Sequence, residues 1–295
     1  MAAPHLFDRT LLLQRRARAA READPPDFLL RRAVADIAER LATVSRDFAR
    51  VLCLGAHHGV LAEALPPSIP ASGVICMEAS WPLLARCPGQ KLCADEETLP
   101  FRDGSLDLVL SALSLQLVND LPGTLVQIRR ALKPDGLFMA AILGGATLAE
   151  LREAFMLAEL EVEGGASPRV APMAGIRDYG ALLQRAGFAL PVADADTVEV
   201  TYASPLGLMR DLRGIGASNA LAARRKQFLR RATLARAVDI YRERFPAPGG
   251  RVKATFEIIH LSGWAPHESQ QKPLAPGSAS VRLGDALRAL KDERD

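Results

Sequence analysis

The sequence predicts an α/β fold, a mainly parallel sheet covered by helices on both faces, and three observations predict it. Between residues 50 and 145, short continuous apolar runs alternate with stretches of helical spacing, the pattern of strands buried on both sides. Turn residues sit at the joints, notably Asp103-Gly104 and Lys133-Pro134-Asp135-Gly136, where proline stops a helix and glycine tolerates positive φ. Two later strands are then separated by a helical stretch too long for a hairpin connection.

Taken in order, Arg50–Leu54, Val74–Met77, Leu92–Ala94, Leu106–Leu110 and Leu137–Leu143 read as five strands. Helices are expected at 58–65, 80–86 and 122–132 between them. Ahead of the first strand, Leu29, Val34, Ile37 and Leu41 recur at helical spacing, so 25–49 contains a helix. Beyond the fifth strand, 146–161 and 175–186 read as helices and Ala193–Tyr202 as a strand of alternating pattern. Helices follow at 205–213 and 220–244, and Ala254–Gly263 is the last strand. Residues 1–49 thus form an N-terminal helical segment, 50–204 a core, 205–250 a helical cap inserted before the last strand at 251–264, and 265–295 a tail with a short helix at 281–291.

Composition narrows the function. Of 295 residues, 49% are hydrophobic and 24% charged, ordinary for a chain with one large core. No run of eighteen apolar residues occurs, so a membrane span is excluded and any membrane contact is peripheral. The net charge of +3 gives no reason to propose nucleic acid. Charge is uneven locally, because residues 222–253 carry Arg224, Arg225, Lys226, Arg230, Arg231, Arg236, Arg242, Arg244, Arg251 and Lys253 against Asp239 and Glu243. That stretch reads first as a solvated helix face and second as a docking surface for an acidic partner or membrane. Cys53, Cys76, Cys87 and Cys93 form no Cys-x-x-Cys pair, and with His57 and His58 they match no familiar zinc spacing. They are expected to be reduced thiols, and no metal site is expected. The Arg-rich, acid-poor stretch from Arg9 to Arg21 suits a transit peptide or a structural helix.

Ligands of open parallel sheets sit at the carboxyl ends of the strands, and four positions there carry chemistry. Gly55-Ala56-His57-His58-Gly59 follows the first strand, glycines that let backbone approach a ligand near a helix N-terminus. Glu78 follows the second, about twenty residues on, where an acid accepts bonds from ribose hydroxyls. Asp95-Glu96-Glu97 follows the third, and Ser111-Ala112-Leu113-Ser114-Leu115-Gln116-Leu117 the fourth. Each alone reads as a solvated loop acid or strand-end turn; the order of the four is what points to a nucleoside cofactor.

With these residues in view, the chain resembles the class I S-adenosylmethionine-dependent methyltransferases. Leu99-Pro100-Phe101, Asp103-Gly104-Ser105-Leu106-Asp107-Leu108-Val109 and Leu132-Lys133-Pro134-Asp135-Gly136 are similar to the type 11 branch. Phe7-Asp8-Arg9, Ala94-Asp95-Glu96-Glu97, Ser114-Leu115, Val118-Asn119-Asp120-Leu121-Pro122, Gly144-Gly145 and Glu163-Gly164-Gly165 resemble one family in particular. So do Asp211-Leu212-Arg213-Gly214-Ile215-Gly216-Ala217-Ser218-Asn219, Gly263-Trp264 and His267-Glu268-Ser269-Gln270. That family is the arginine-hydroxylase assembly factors of respiratory complex I, with a more distant likeness to the malonyl carrier-protein methyltransferases. The likeness runs from Phe7 to about Gly284. It favours the structural reading of the N-terminus and a bacterial cytoplasmic protein, working at the inner face of the membrane if it meets one.

The resemblance implies a Rossmann-like seven-stranded methyltransferase sheet and S-adenosylmethionine as cofactor. Carried over, Gly55 and Gly59 flank the methionine moiety, Glu78 holds the ribose, and Asp95 with Glu96 borders the adenine. Ala56, His57, Ala79, Ser111 and Leu113 complete the cofactor lining, Phe7, Gln116 and Arg213 are substrate or lid positions, and no catalytic residue is assigned. The family loop Asp-x-Gly-x-Gly-x-Gly becomes Cys53-Leu54-Gly55-Ala56-His57-His58-Gly59 here, losing its carboxylate and placing His57 at a glycine position. Gln116-Leu117 stands where the family has His-Trp. Three readings follow: a protein that acts on an arginine of a complex I iron–sulfur subunit, a methyltransferase for a small molecule or carrier-bound acid, and a non-catalytic relative whose cofactor loop has degenerated.

Overall fold

A computed structural model describes residues 5–271; the helix expected at 281–291 lies outside them. Strands β1 (Val51–Leu54), β2 (Val74–Met77), β3 (Gln90–Leu92), β4 (Leu106–Ala112) and β5 (Leu132–Leu143) are followed by β6 (Ala189–Tyr202), β7 (Pro246–Ala247) and β8 (Arg251–Trp264). They form one sheet in the order β3-β2-β1-β4-β5-β8-β6, with β7 paired on β8. Strands β3 to β5 pair in parallel, and β8 runs antiparallel between β5 and β6. The seven expected strands are present, and the eighth, β7, is a two-residue addition too short to carry a periodic signal.

Strand alternation divides the core into two layers, because successive side chains point to opposite faces. Cys53, Leu108, Leu110, Met139 and Ala141 face one layer with Ala33, Val34, Ile37 and Leu41 of α2 (Phe28–Ala42). Leu52, Leu54, Val109, Phe138 and Ile142 face the other with α5 (Leu121–Ala131) and α7 (Ile176–Arg185). All four β1 residues are buried, which is why its run is unbroken and apolar. At the far edge, β6 alternates half-buried and exposed residues, and α2 spans it through Arg40–Asp194 and Arg32–Asp196 pairs. Charge on such an edge discourages pairing with another sheet.

Several boundaries differ from expectation. The third strand is Gln90–Leu92 rather than 92–94, because Ala94 already belongs to the turn that presents Asp95. Strand β5 begins at Leu132, and its register to β4 breaks between Leu106 and Leu108. Lys133-Pro134-Asp135-Gly136 is therefore an irregularity within a strand, with Asp135 at φ 63°. Helices α3 (Val60–Glu63) and α4 (Trp81–Leu84) are single turns. The expected 220–244 helix is α9 (Arg231–Arg244) alone; residues 220–224 instead lie against the N-terminus, where Phe7 bridges to Leu221.

Helix α1 (Arg9–Ala19) lies over the carboxyl ends of β1 and β2. Asp8 caps it by accepting a bond from the Leu11 amide. Its buried positions are Leu12, Arg16 and Ala19, and with Arg9 these form one stripe at spacings of three and four. The apolar share of that stripe is small, so polar contacts decide where α1 docks. Helices α6 (Ala149–Glu163), α8 (Pro205–Gly214) and α9 complete the cover above β5 and β8.

Candidate functional site

The loop after β1 turns through left-handed backbone three times, with φ of 64° at Gly55, 50° at His57 and 98° at Gly59. A Cβ on Gly55 would lie 2.1 Å from Ser114 Oγ, and one on Gly59 2.7 Å from Pro88 Cδ, so neither position admits another residue without a shift. His57 occupies its left-handed position with a full side chain, and that ring is turned inward. Its Nε2 lies 2.9 Å from the Ala112 carbonyl and its Nδ1 3.3 Å from Arg16 Nη2. A carbonyl only accepts and a guanidinium only donates, so the proton sits on Nε2 and Nδ1 accepts. Burial, reinforced by the Arg16 charge, pushes its pKa down to about 3. With both nitrogens engaged, His57 is a neutral packing group. His58 points away and its Nε2 meets Asp27 Oδ2 at 2.9 Å.

Glu78 is 0% exposed at the end of β2. Its Oε1 accepts from the Ser80 amide at 3.0 Å and from Arg16 Nη1 at 3.2 Å, and its Oε2 accepts from the His57 amide at 3.1 Å. Burial raises its pKa, opposed by the Arg16 charge. Beyond β3, Glu96 accepts from Arg16 Nη1 at 3.3 Å and Ser114 Oγ at 2.9 Å through Oε1, and from Arg9 Nη2 at 2.5 Å through Oε2. Burial works against its ionisation, but the charges of Arg16 and Arg9 outweigh it and hold the carboxyl at about 2. Asp95 accepts from Arg9 Nη2 at 2.8 Å. The Arg9 Nη1 donates to the Leu117 carbonyl at 3.1 Å. Two guanidinia from one helix stripe thus bridge the acids that follow two adjacent strands.

These are the acids expected to hold a ribose and an adenine. With α1 docked they do not fit S-adenosylmethionine, because Glu78 and Glu96 are 0% and 1% exposed and already paired with arginine. A nucleoside reaching them must displace Arg16 and Arg9. Sequence reasoning located the acids and missed these occupants, although two arginines seven apart, flanking Leu12 on an otherwise narrow apolar stripe, were the available signal.

The other expected residues divide. Gly55, Ala56, His57 and Gly59 gather around Glu78, with the Ala56 amide donating to the Met77 carbonyl at 2.9 Å. Ala79 is half-buried and touches the network only through its chain neighbours. Ser111 is fully buried in β4 with its hydroxyl unpartnered. Leu113, at φ 50°, faces a cavity of about 800 Å³ bounded by α1, α8, the loop after β1 and the ends of β4 and β5, and Phe7, His57, Gln116 and Arg213 line that cavity with it. Phe7 is fixed there by Asn119, whose Oδ1 accepts from its amide at 2.7 Å.

Half of the ten cations in the basic 222–253 stretch are paired with acids among the described residues. Arg224 pairs with Asp8, Arg225 with Glu163, Arg236 with Glu161 and Arg244 with Glu153. Those pairs tie the cap to α6 and to the N-terminus.

A parallel sheet with an antiparallel strand inserted at one end, a glycine turn after β1 and an acid after β2 defines a protein of the class I methyltransferase fold. A methyltransferase-domain family model matches residues 52–140. The YcgJ protein of Bacillus subtilis shares the fold at 15% identity, with a TM-score of 0.55 over 80% of this chain and 99% of that one. Within that class, the chain belongs to the family of the mitochondrial arginine-hydroxylase NDUFAF5. It is 40% identical to the Danio rerio protein over 297 residues, covering 99% of this chain and 92% of that one, and 41% identical to the Homo sapiens protein over 95% and 83%. The malonyl-[acyl-carrier protein] O-methyltransferase of Gallionella capsiferriformans is 34% identical over 88% of this chain and 92% of that one. No helix among the described residues is long and apolar enough to cross a membrane.

Proposed function

We propose that this protein acts on an arginine of a protein substrate, adding oxygen to its side chain in the manner its hydroxylase relatives' name states, during assembly of a respiratory complex I. The observation that carries this reading is the 40% identity to an arginine-hydroxylase over 99% of the chain. The substrate is then an iron–sulfur subunit of that complex, met in the bacterial cytoplasm or at the inner face of the membrane. Hydroxylation replaces a C–H bond by C–OH. It consumes dioxygen, two electrons from a donor and two protons, and the second oxygen atom leaves as water.

The geometry around the nucleoside acids supports a reaction other than methyl transfer. The nucleoside acids are engaged by α1, so the methyl donor has no free access while that helix is docked. The test is to incubate the full chain with the purified iron–sulfur subunit, dioxygen, iron and a reductant. Mass spectrometry then reads the mass of each arginine-containing peptide. Gain of one oxygen atom on an arginine supports the reading. No gain, or a methyl group gained instead with S-adenosylmethionine, overturns it.

A further inference from the structure

We infer that the cavity between α1, α8 and the ends of β4 and β5 is a small-molecule site that takes an anion carried on an apolar body, a carboxylate or phosphate on an aliphatic chain. This ligand is separate from the protein substrate proposed above, and the two proposals stand or fall independently.

Size and lining give the apolar body. A volume of about 800 Å³ is that of sites enclosing most of a small organic ligand. Leu113, Leu148, Leu151, Phe155 and Phe256 form much of its wall. Such a surface rewards a hydrocarbon chain through the water it releases.

Charge gives the head group. Six arginines line the cavity: Arg15, Arg16, Arg86, Arg169, Arg210 and Arg213. Arg16 is spent on Glu78 and Glu96, and Arg169 on Glu159. The other four make no ion pair among the described residues. Among the described residues the single acidic side chain on the wall, Asp27, is already held by Arg31 at 2.9 Å and His58 at 2.9 Å. A cationic ligand would therefore meet four uncompensated guanidinia, whereas an anion would find partners.

Arg15 sharpens this. Its Nη1 is buried with no hydrogen-bond partner among the described residues, and an unmet buried donor is costly unless something else supplies the acceptor. Burial, then the charges of Arg224 and Arg18, push its pKa down against the opposing charge of Asp8. Arg86, Arg210 and Arg213 are exposed on the rim, placed to draw an anion in before Arg15 receives it. Opposite them, Gln116 Oε1 is also buried without a donor, which suits a ligand carrying a hydroxyl or amide near its acid.

Adjacent residues of α1 thus serve opposite ends of the sheet opening. Arg16 turns to the acids and seals them, and Arg15 turns to the cavity and leaves it positive. The acids expected to hold a nucleoside are covered by the same helix that builds one wall of this cavity.

The experiment titrates the full chain with octanoate, octyl phosphate, octanol and octylamine, by calorimetry and thermal shift. Octanoate or octyl phosphate is expected to bind at least about tenfold more tightly than octanol, with octylamine weakest. Preference between the first two identifies the carboxylate or phosphate source. Arg15→Met and Arg213→Met are each expected to weaken the anion by about tenfold while leaving octanol unchanged. Equal binding of octanol and octanoate, tight binding of octylamine, or full anion affinity in both variants overturns the inference. Should Arg15→Met not fold, Arg213→Glu decides, because reversal at the rim must lower octanoate affinity and raise that of octylamine. Unchanged preference in that variant overturns it.

Discussion

Arg16 Nη1 lies 3.2 Å from Glu78 Oε1, and the two side chains are 4% and 0% exposed. The same nitrogen is 3.3 Å from Glu96 Oε1, so one cation from α1 holds together acids that follow β2 and β3. A buried arrangement of this kind adds little net stability over an apolar one, but removing one member leaves charge unpaired.

Arg16→Met is expected to destabilise the protein by about 3–5 kcal/mol. Adding Glu96→Gln should recover part of that loss, since one of the stranded charges is gone. Urea unfolding of both single variants and the double variant measures the coupling. Additive effects would mean that the pair does not interact as described.

Because α1 covers the nucleoside acids, loosening it should open them. An Arg9→Gln/Arg16→Gln variant is expected to bind S-adenosylhomocysteine about tenfold or more tightly than the unaltered chain, read by calorimetry. Equal affinities would show that α1 does not compete with a nucleoside.

Gly55→Ala combines a φ of 64° with a Cβ placed 2.1 Å from Ser114 Oγ. The expected loss is at least about 2 kcal/mol. Ser114→Gly should relieve the collision but not the backbone strain, so the double variant recovers in part. A neutral Gly55→Ala in thermal unfolding would contradict the packing of Ser114 on this loop.

Stability should fall as pH drops below the ordinary histidine range. His57 is pushed down to about 3 by burial and Arg16, so the unfolded chain takes up this proton near pH 6.5 while the folded one does not. The contribution of neutral His57 is therefore complete above about pH 6.5 and declines toward about pH 3, with a limiting slope of about 1.4 kcal/mol per unit. His260, also lowered by burial, acts in the same direction. Urea midpoints measured from about pH 7.5 to about pH 5, above the ordinary carboxylate range, should drop less in His57→Asn. Asparagine tolerates the left-handed backbone there. Parallel slopes would overturn the assignment.

Thiol labelling should be sharply uneven. Cys53, Cys76 and Cys87 are buried and Cys93 is exposed, so a thiol reagent should modify Cys93 rapidly and the other three only on unfolding. Rapid loss of a second thiol in the native protein would show that the loop after β1 opens.

Much of the site was legible in the primary structure because it depends on local requirements. Gly55 and Gly59 marked a loop where backbone comes close to a ligand, and Glu78 and Asp95-Glu96 stood where strands end. His57 was readable as an intruder at a glycine position, and its φ of 50° is the consequence. The 220–244 helix was over-read because Ala220, Leu221 and Ala222 suit helical periodicity, yet Leu221 is used as a bridge partner for Phe7.

What the sequence by itself determined is the order of strands and helices, the two-layer core and the position of the acids, all of which follow from periodicity and turn chemistry within short windows. What only the tertiary structure decided is the fate of those acids. Arg9 and Arg16 lie 86 and 62 residues from Asp95 and Glu78, and the narrow stripe around Leu12 does not by itself say which acids they meet. The gathering of Glu78, Asp95 and Glu96 around two guanidinia is set by how α1 lands on the sheet, and that landing separates a closed nucleoside site from an open cationic cavity.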